Sequence, residues 1–139
     1  MTVRQKRGVV GVSSLALIGA TFVVAGLTYR RAVSASAPLR IQLVAKGMDF
    51  VRFDDTREAN PAIRLPADRE VEIELVNEDP GSQHNLAIAE LKLKTRLLKF
   101  GEKAVLRFTA PPSGSLTYLC TVHPVMMRGQ LVIDGAGTM

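Results

Sequence analysis

The stretch "YLCTVHPVMMRGQLVI", residues 118 to 133, holds the only cysteine of the chain, one of its two histidines and two of its five methionines. A thiolate, an imidazole and a thioether confined to Cys120, His123 and Met126 or Met127 form a soft donor set, suited above all to copper. A copper site with two histidines, one cysteine and a weak axial methionine performs one-electron transfer. The loop supplies three of those four groups, so one more imidazole is needed. The chain has just one more histidine, His84, in "GSQHNLAI".

Other chemistries fit these residues less well. Structural zinc sites use four cysteine or histidine ligands. Haem attachment needs C-x-x-C-H, and a two-copper cluster needs a second cysteine; neither is present. Nucleophilic catalysis by Cys120 with a histidine base would want an acid or amide to orient the base, and none lies close in the sequence. A lone cysteine is commonly a small buried hydrophobe, and adjacent methionines are commonly core filler. It is the conjunction of all three residue types that outweighs those readings.

These side chains must be positioned by strands. In "EVEIELVN", Val71, Ile73 and Leu75 alternate with Glu70, Glu72 and Glu74, the two-residue period of a half-buried strand. Further short apolar runs fall at 41–45, 85–89, 103–110, 115–120 and 130–134, separated by "NEDPGSQ", "FGEK", "PPSG" and "HPVMMRG". Six or seven short strands without an amphipathic helix predict an all-β sandwich. Alternation along "SLTYLC" puts Leu116, Tyr118 and Cys120 on one side, with the cysteine facing inward at the strand's end. Gly129 is expected to let the chain turn back into the sheet after the loop. The segment "DFVRFDDTREANPA" fits a strand followed by a long loop. "ELKLKTRLLKF" fits a strand or a short helix, its Lys92, Lys94, Arg96 and Lys99 on a solvated face and Leu91, Leu93 and Leu97 or Leu98 turned inward.

The chain has 139 residues and a formal charge of +5, and its charge is unevenly placed. Arg4, Lys6, Arg7, Arg30 and Arg31 carry the whole excess, since no acidic residue precedes position 38. The body is near neutral and shows no basic stripe interleaved with aromatics, so nucleic acid is not an expected partner. Between the basic clusters, Gly8 to Tyr29 is uncharged. Twenty-two helical residues span roughly 33 Å, enough for a bilayer core of about 30 Å. We expect an N-terminal membrane anchor or signal segment over 1–31, a linker over 32–38, the sandwich domain over 39–135 and a tail over 136–139. A retained anchor is favoured over a cleaved signal because the run exceeds the usual apolar length of a signal. Either way the domain is expected on the extracytoplasmic (periplasmic or outer) side, as a secreted soluble form if the segment is cleaved. A single cysteine cannot form an intramolecular disulfide, so in that compartment the thiol needs another use.

His84-Asn85 followed by an apolar strand, together with "YLCTVHPVMMRGQLVI", resembles the cupredoxins, the family of plastocyanin, azurin and amicyanin. The resemblance runs from about Leu39 to Ile133 and includes "FTAPPSGSLTYLC". It implies a Greek-key β-sandwich holding one copper ion as a blue, type 1 centre, with His84, Cys120 and His123 as equatorial ligands. It also implies that Asn85 ties the two ligand loops together. Counted from His123, Met126 matches the amicyanin spacing. Counted back from the following strand, Met127-Arg128-Gly129-Gln130-Leu131 matches the family's Met-x-Gly-x-apolar step. Sheet register fixes where the loop ends, which favours Met127 as axial ligand and keeps Met126 as the alternative. The implied activity is electron transport, not enzymatic catalysis, in transient contact with a redox protein such as a c-type cytochrome or a membrane oxidoreductase. The rival is a copper carrier or metallochaperone that delivers the metal to an oxidase.

Overall fold

The computed structural model describes residues 36–135. The expected anchor and the tail lie outside the described residues. Among the described residues, no helix is long and apolar enough to cross a membrane.

Among the described residues, nine strands form two sheets: β1 (Leu39–Lys46), β2 (Asp49–Arg52), β3 (Ile63–Pro66), β4 (Glu70–Asn77), β5 (Ala87–Ile88), β6 (Leu93–Lys94), β7 (Lys103–Thr109), β8 (Gly114–Leu119) and β9 (Arg128–Asp134). One sheet has the order β2-β1-β4-β7 and the other β3-β9-β8-β5-β6. The all-β sandwich follows from the alternating pattern. Val71, Ile73 and Leu75 of β4 are buried, while the glutamates between them face outward and pair with Arg107, Lys103 and Arg40 of neighbouring strands. Leu43, Leu65, Ile73, Leu75 and Leu131, all wholly buried, meet between the sheets. Each such side chain withdrawn from water contributes about 1.5–3 kcal/mol.

β1 and β2 form a hairpin whose two-residue turn, Gly47-Met48, has both residues at positive φ, the requirement of the primed turns that match strand twist. Two strand pairs are parallel, β1 with β4 and β3 with β9, because the chain crosses between sheets before returning beside an earlier strand. The crossing strand β3 was not among the expected strands. It has only four residues, and its buried Ile63 and Leu65 are too short a run to stand out beside a long polar loop.

The expected strand at 85–89 contracts to Ala87–Ile88, since Ala89–Leu91 forms a 3-10 turn ended by Lys92 in the left-handed conformation. The basic segment after it is neither a continuous strand nor a helix. It comprises the short β6 and a single bridge between Leu98 and His84. Lys92, Lys94, Arg96 and Lys99 are solvated and Leu98, not Leu97, turns inward.

The expectation for Gly129 is corrected. Its backbone is not among the positive-φ positions; it lies in β9 directly opposite Tyr118 of β8. A Cβ at position 129 would collide with the Tyr118 ring. Its missing side chain leaves room for that ring, whose phenol donates to the Pro61 carbonyl at 2.6 Å and which packs edge-on with Phe50. Tyr118 is thereby pinned two residues before Cys120, at the end of the strand that delivers the thiol.

Candidate metal centre

Alternation along β8 buries Leu116 and Tyr118, and continues to Cys120, whose side chain is fully enclosed. The chain then leaves the sheet and returns at Arg128. Three main-chain bonds brace this loop: the amide of His123 donates to the Cys120 carbonyl at 3.2 Å, that of Met127 to the His123 carbonyl at 2.9 Å, and that of Cys120 to the Met127 carbonyl at 3.0 Å. Cys120, His123 and Met127 are therefore linked to one another through their own backbones.

The second histidine arrives from the other side of the sequence. Its backbone is clamped in a two-way bridge, the His84 amide donating to Leu98 at 3.1 Å and the Leu98 amide donating back at 2.7 Å. The neighbouring Asn85 is nearly buried, and its Oδ1 accepts from both the amide and the hydroxyl of Thr121, at 2.8 and 3.1 Å. This carboxamide joins the His84 segment to the residue just after Cys120. Leu86 is held in turn by Thr95, whose hydroxyl accepts its amide at 3.1 Å.

These supports bring three donors to one point. The Cys120 Sγ lies 3.8 Å from Nδ1 of His84 and 3.7 Å from Nδ1 of His123. All three donor atoms fall within 4.8 Å of one another, and the two rings tilt at 53° with centroids 5.0 Å apart. His84 and Cys120 are wholly buried, whereas His123 keeps an exposed edge. The methionines separate: Met127 is wholly buried in the core, and Met126 is 60% exposed. Two imidazole nitrogens aimed at one buried sulfur, with a buried thioether at the end of the same short loop, are a donor set that copper fits. Val122 and Val125 are exposed beside His123 in sequence, Val125 at 89%.

Two residues outside the expected ligand set support this cluster. Asp79 Oδ2 sits 3.1 Å from Nε2 of His84. An acid does therefore stand behind a histidine that faces the cysteine, contrary to the sequence-based argument against a nucleophilic pair. The spacing of five residues was there to be read, but Asp79 sits in "NEDPGS", where an aspartate ordinarily signals a turn. What speaks against a nucleophile here is the full burial of Cys120 and a second imidazole on the same sulfur. The other residue is Asn60, whose Nδ2 reaches the Met126 carbonyl across the fold.

The cupredoxin-like domain model matches residues 22–133 of the chain. Solved structures with a similar fold include a reduced auracyanin from Roseiflexus castenholzii, at 17% identity and a TM-score of 0.57, covering 70% of this chain and 98% of that one. Auracyanin A, a blue copper protein from Chloroflexus aurantiacus, shares 22% identity at a TM-score of 0.53, covering 70% of this chain and 100% of that one. Rusticyanin from Thiobacillus ferrooxidans shares 16% at a TM-score of 0.55, covering 68% of this chain and 76% of that one. Curated protein sequences gave no match.

Proposed function

The chain belongs to the cupredoxin-like domain family, and from that premise we propose that it is a blue copper protein passing single electrons between redox partners outside the cytoplasm. The observation that carries this reading is the convergence of His84, Cys120 and His123, with donor atoms within 4.8 Å of one another around a buried sulfur. The cofactor is one copper ion, which when bound alternates between the cuprous and cupric states. His84 and His123, each through Nδ1, and the Cys120 thiolate would hold it. Met127 would supply the thioether, because its side chain is enclosed beside the loop closure while Met126 turns to solvent.

The protein's contribution is rigidity and dryness. The Leu98 bridge, the Asn85 link and the closed Cys120–Met127 loop hold the donors nearly still, so little rearrangement accompanies the change of charge. Enclosure of Cys120 and His84 keeps water from the sulfur and so helps set the potential. The exposed edge of His123, beside Pro124 and Val125, is the exit for the electron, and this uncharged surface suits brief contact with a c-type cytochrome or a membrane oxidoreductase. Weak redox encounters of that kind bury less than about 1,200 Å². An anchor at residues 8–29 would keep the domain beside partners in the same membrane and raise its effective concentration.

Both histidines of the chain are taken up by one cluster, leaving none for the second copper centre of an oxidase; hence a carrier of electrons, not an enzyme. A metallochaperone would present its ligands to an acceptor, whereas the sulfur here is enclosed. The test is the visible spectrum of the full chain, solubilised in detergent and given Cu(II), beside the Cys120→Ser variant. An intense blue thiolate-to-copper band, lost in the variant, is the expected result. A colourless wild-type protein overturns the proposal.

A further inference from the structure

The ring of His84 is engaged on both sides. Its Nδ1 faces the Cys120 sulfur at 3.8 Å, and its Nε2 faces the Asp79 carboxylate at 3.1 Å. A neutral imidazole has one donor and one acceptor nitrogen, and an ionised carboxylate only accepts. Asp79 therefore selects the form with hydrogen on Nε2 and leaves the Nδ1 lone pair pointing into the donor cluster.

The carboxylate is held in place for this. The Asp79 amide donates to Oδ1 of Asn77 at 2.8 Å, and the Gly81 amide donates to Oδ1 of Asp79 at 3.3 Å. Asn77 is itself wholly buried at the end of β4, and its Nδ2 donates to the carbonyls of Ser82 and Leu98, each at 2.8 Å. Leu98 is the residue whose backbone clamps His84. One buried amide thus braces both the turn that carries Asp79 and the strand segment opposite the histidine. An aspartate carboxyl is ordinarily ionised at neutral pH, so the group facing the ring is a carboxylate.

We infer that Asp79 is a positioning residue that fixes the tautomer of His84 and, through its charge, biases the centre toward Cu(II). This rests on the copper reading above. A carboxylate behind a metal-bound histidine orients the ring and raises its basicity, and the more basic ring favours the more highly charged ion. Asp79 touches no metal; it acts through the imidazole.

The test compares the wild-type full chain with Asp79→Asn, which removes the charge at constant size, and with Asp79→Glu, which restores it. In the metal-free protein, long-range proton–nitrogen NMR should find His84 protonated on Nε2 in the wild type and in Asp79→Glu, with that preference weakened in Asp79→Asn, whose amide can present either an oxygen or an NH2 to the ring. In the copper-loaded protein, Asp79→Asn should lower the preference for Cu(II) over Cu(I) about tenfold, a rise in potential of about 59 mV for a one-electron couple, with Asp79→Glu recovering most of it. Wild-type His84 protonated on Nδ1, or an Asp79→Asn potential equal to that of the wild type, overturns the inference. A wild-type protein that never turns blue would instead sink the copper reading, and the metal-free tautomer would still judge Asp79.

Discussion

The side-chain amide of Asn60 donates to the main-chain carbonyl of Met126 at 3.0 Å, a bond between residues 66 positions apart. The same side chain donates to Asp49 at 2.8 Å and accepts the Phe50 amide at 3.0 Å. Asn60 also has a positive φ of 51°, a conformation that asparagine accepts more readily than most residues. A single residue in the long β2–β3 loop therefore hooks the start of β2 to the loop that carries the methionines.

Replacing Asn60 should loosen that loop. Asn60→Gly keeps the backbone conformation and removes the hydrogen bonds, at a cost of about 1–3 kcal/mol. Asn60→Ala adds the steric penalty of the left-handed backbone, about 1 kcal/mol more. Denaturant unfolding of the metal-free proteins measures both losses. The copper spectrum of each variant should depart from the wild type, and an unchanged spectrum in both would show that the hook does not reach the centre.

The two methionines should respond very differently to substitution. Met127→Ala opens space in the core and should cost about 2–5 kcal/mol in the metal-free protein, while Met126→Ala should stay within about 0.5 kcal/mol. In the copper-loaded protein Met127→Leu, which keeps the volume, should shift the potential, and Met126→Leu should leave it in place. Voltammetry of the two leucine variants decides the axial ligand.

Gly129→Ala should be among the more harmful small changes in the domain. The added methyl meets the Tyr118 ring, so the ring must move and the 2.6 Å bond to Pro61 is put at risk. Overpacking of this kind costs about 1–3 kcal/mol, and the lost bond adds about 1 kcal/mol. Thermal melts would report the loss. An alanine variant as stable as the wild type would show that the sheet yields there.

Alkaline pH should weaken the fold through Tyr118. Burial, with a smaller contribution from Glu58, holds its phenol well above the ordinary value of 10.0. Below pH 10 both the folded and the unfolded chain keep the proton. Above it the unfolded chain can release a proton that the folded chain retains, so stability falls as the pH rises. Tyr118→Phe should flatten that slope while lowering the stability at neutral pH by about 1 kcal/mol. Denaturation midpoints at several pH values between neutrality and the alkaline limit would check both effects.

The residues that gather in the cluster were conspicuous in the sequence because the chain spends its only cysteine and both its histidines there, and alternation along β8 was enough to turn Cys120 inward. Residues that act through partners distant in sequence were not conspicuous. Asp79 and Asn60 are ordinary turn formers by type, and only the folded chain shows that one meets the His84 ring and the other the Met126 carbonyl. Gly129 misled for a related reason, since a glycine next to a loop suggests backbone freedom, and its collision with Tyr118 depends on the register between β8 and β9. β3, four residues long, is too brief for periodicity to register, and the two residues of β6 lie in a segment whose pattern fits a strand or a short helix equally.

The parallel pairing of β3 with β9 also joins segments that are far apart along the chain. β9 is the strand that follows the Cys120–Met127 loop, and its partner on one side lies far back in the chain, a contact that must overcome a large loop-closure entropy before it forms. As the polypeptide is made, β8 and its thiol emerge before β9 exists to close over them. Until β9 docks between β3 and β8, Cys120 lacks the strand that closes its loop in the folded chain.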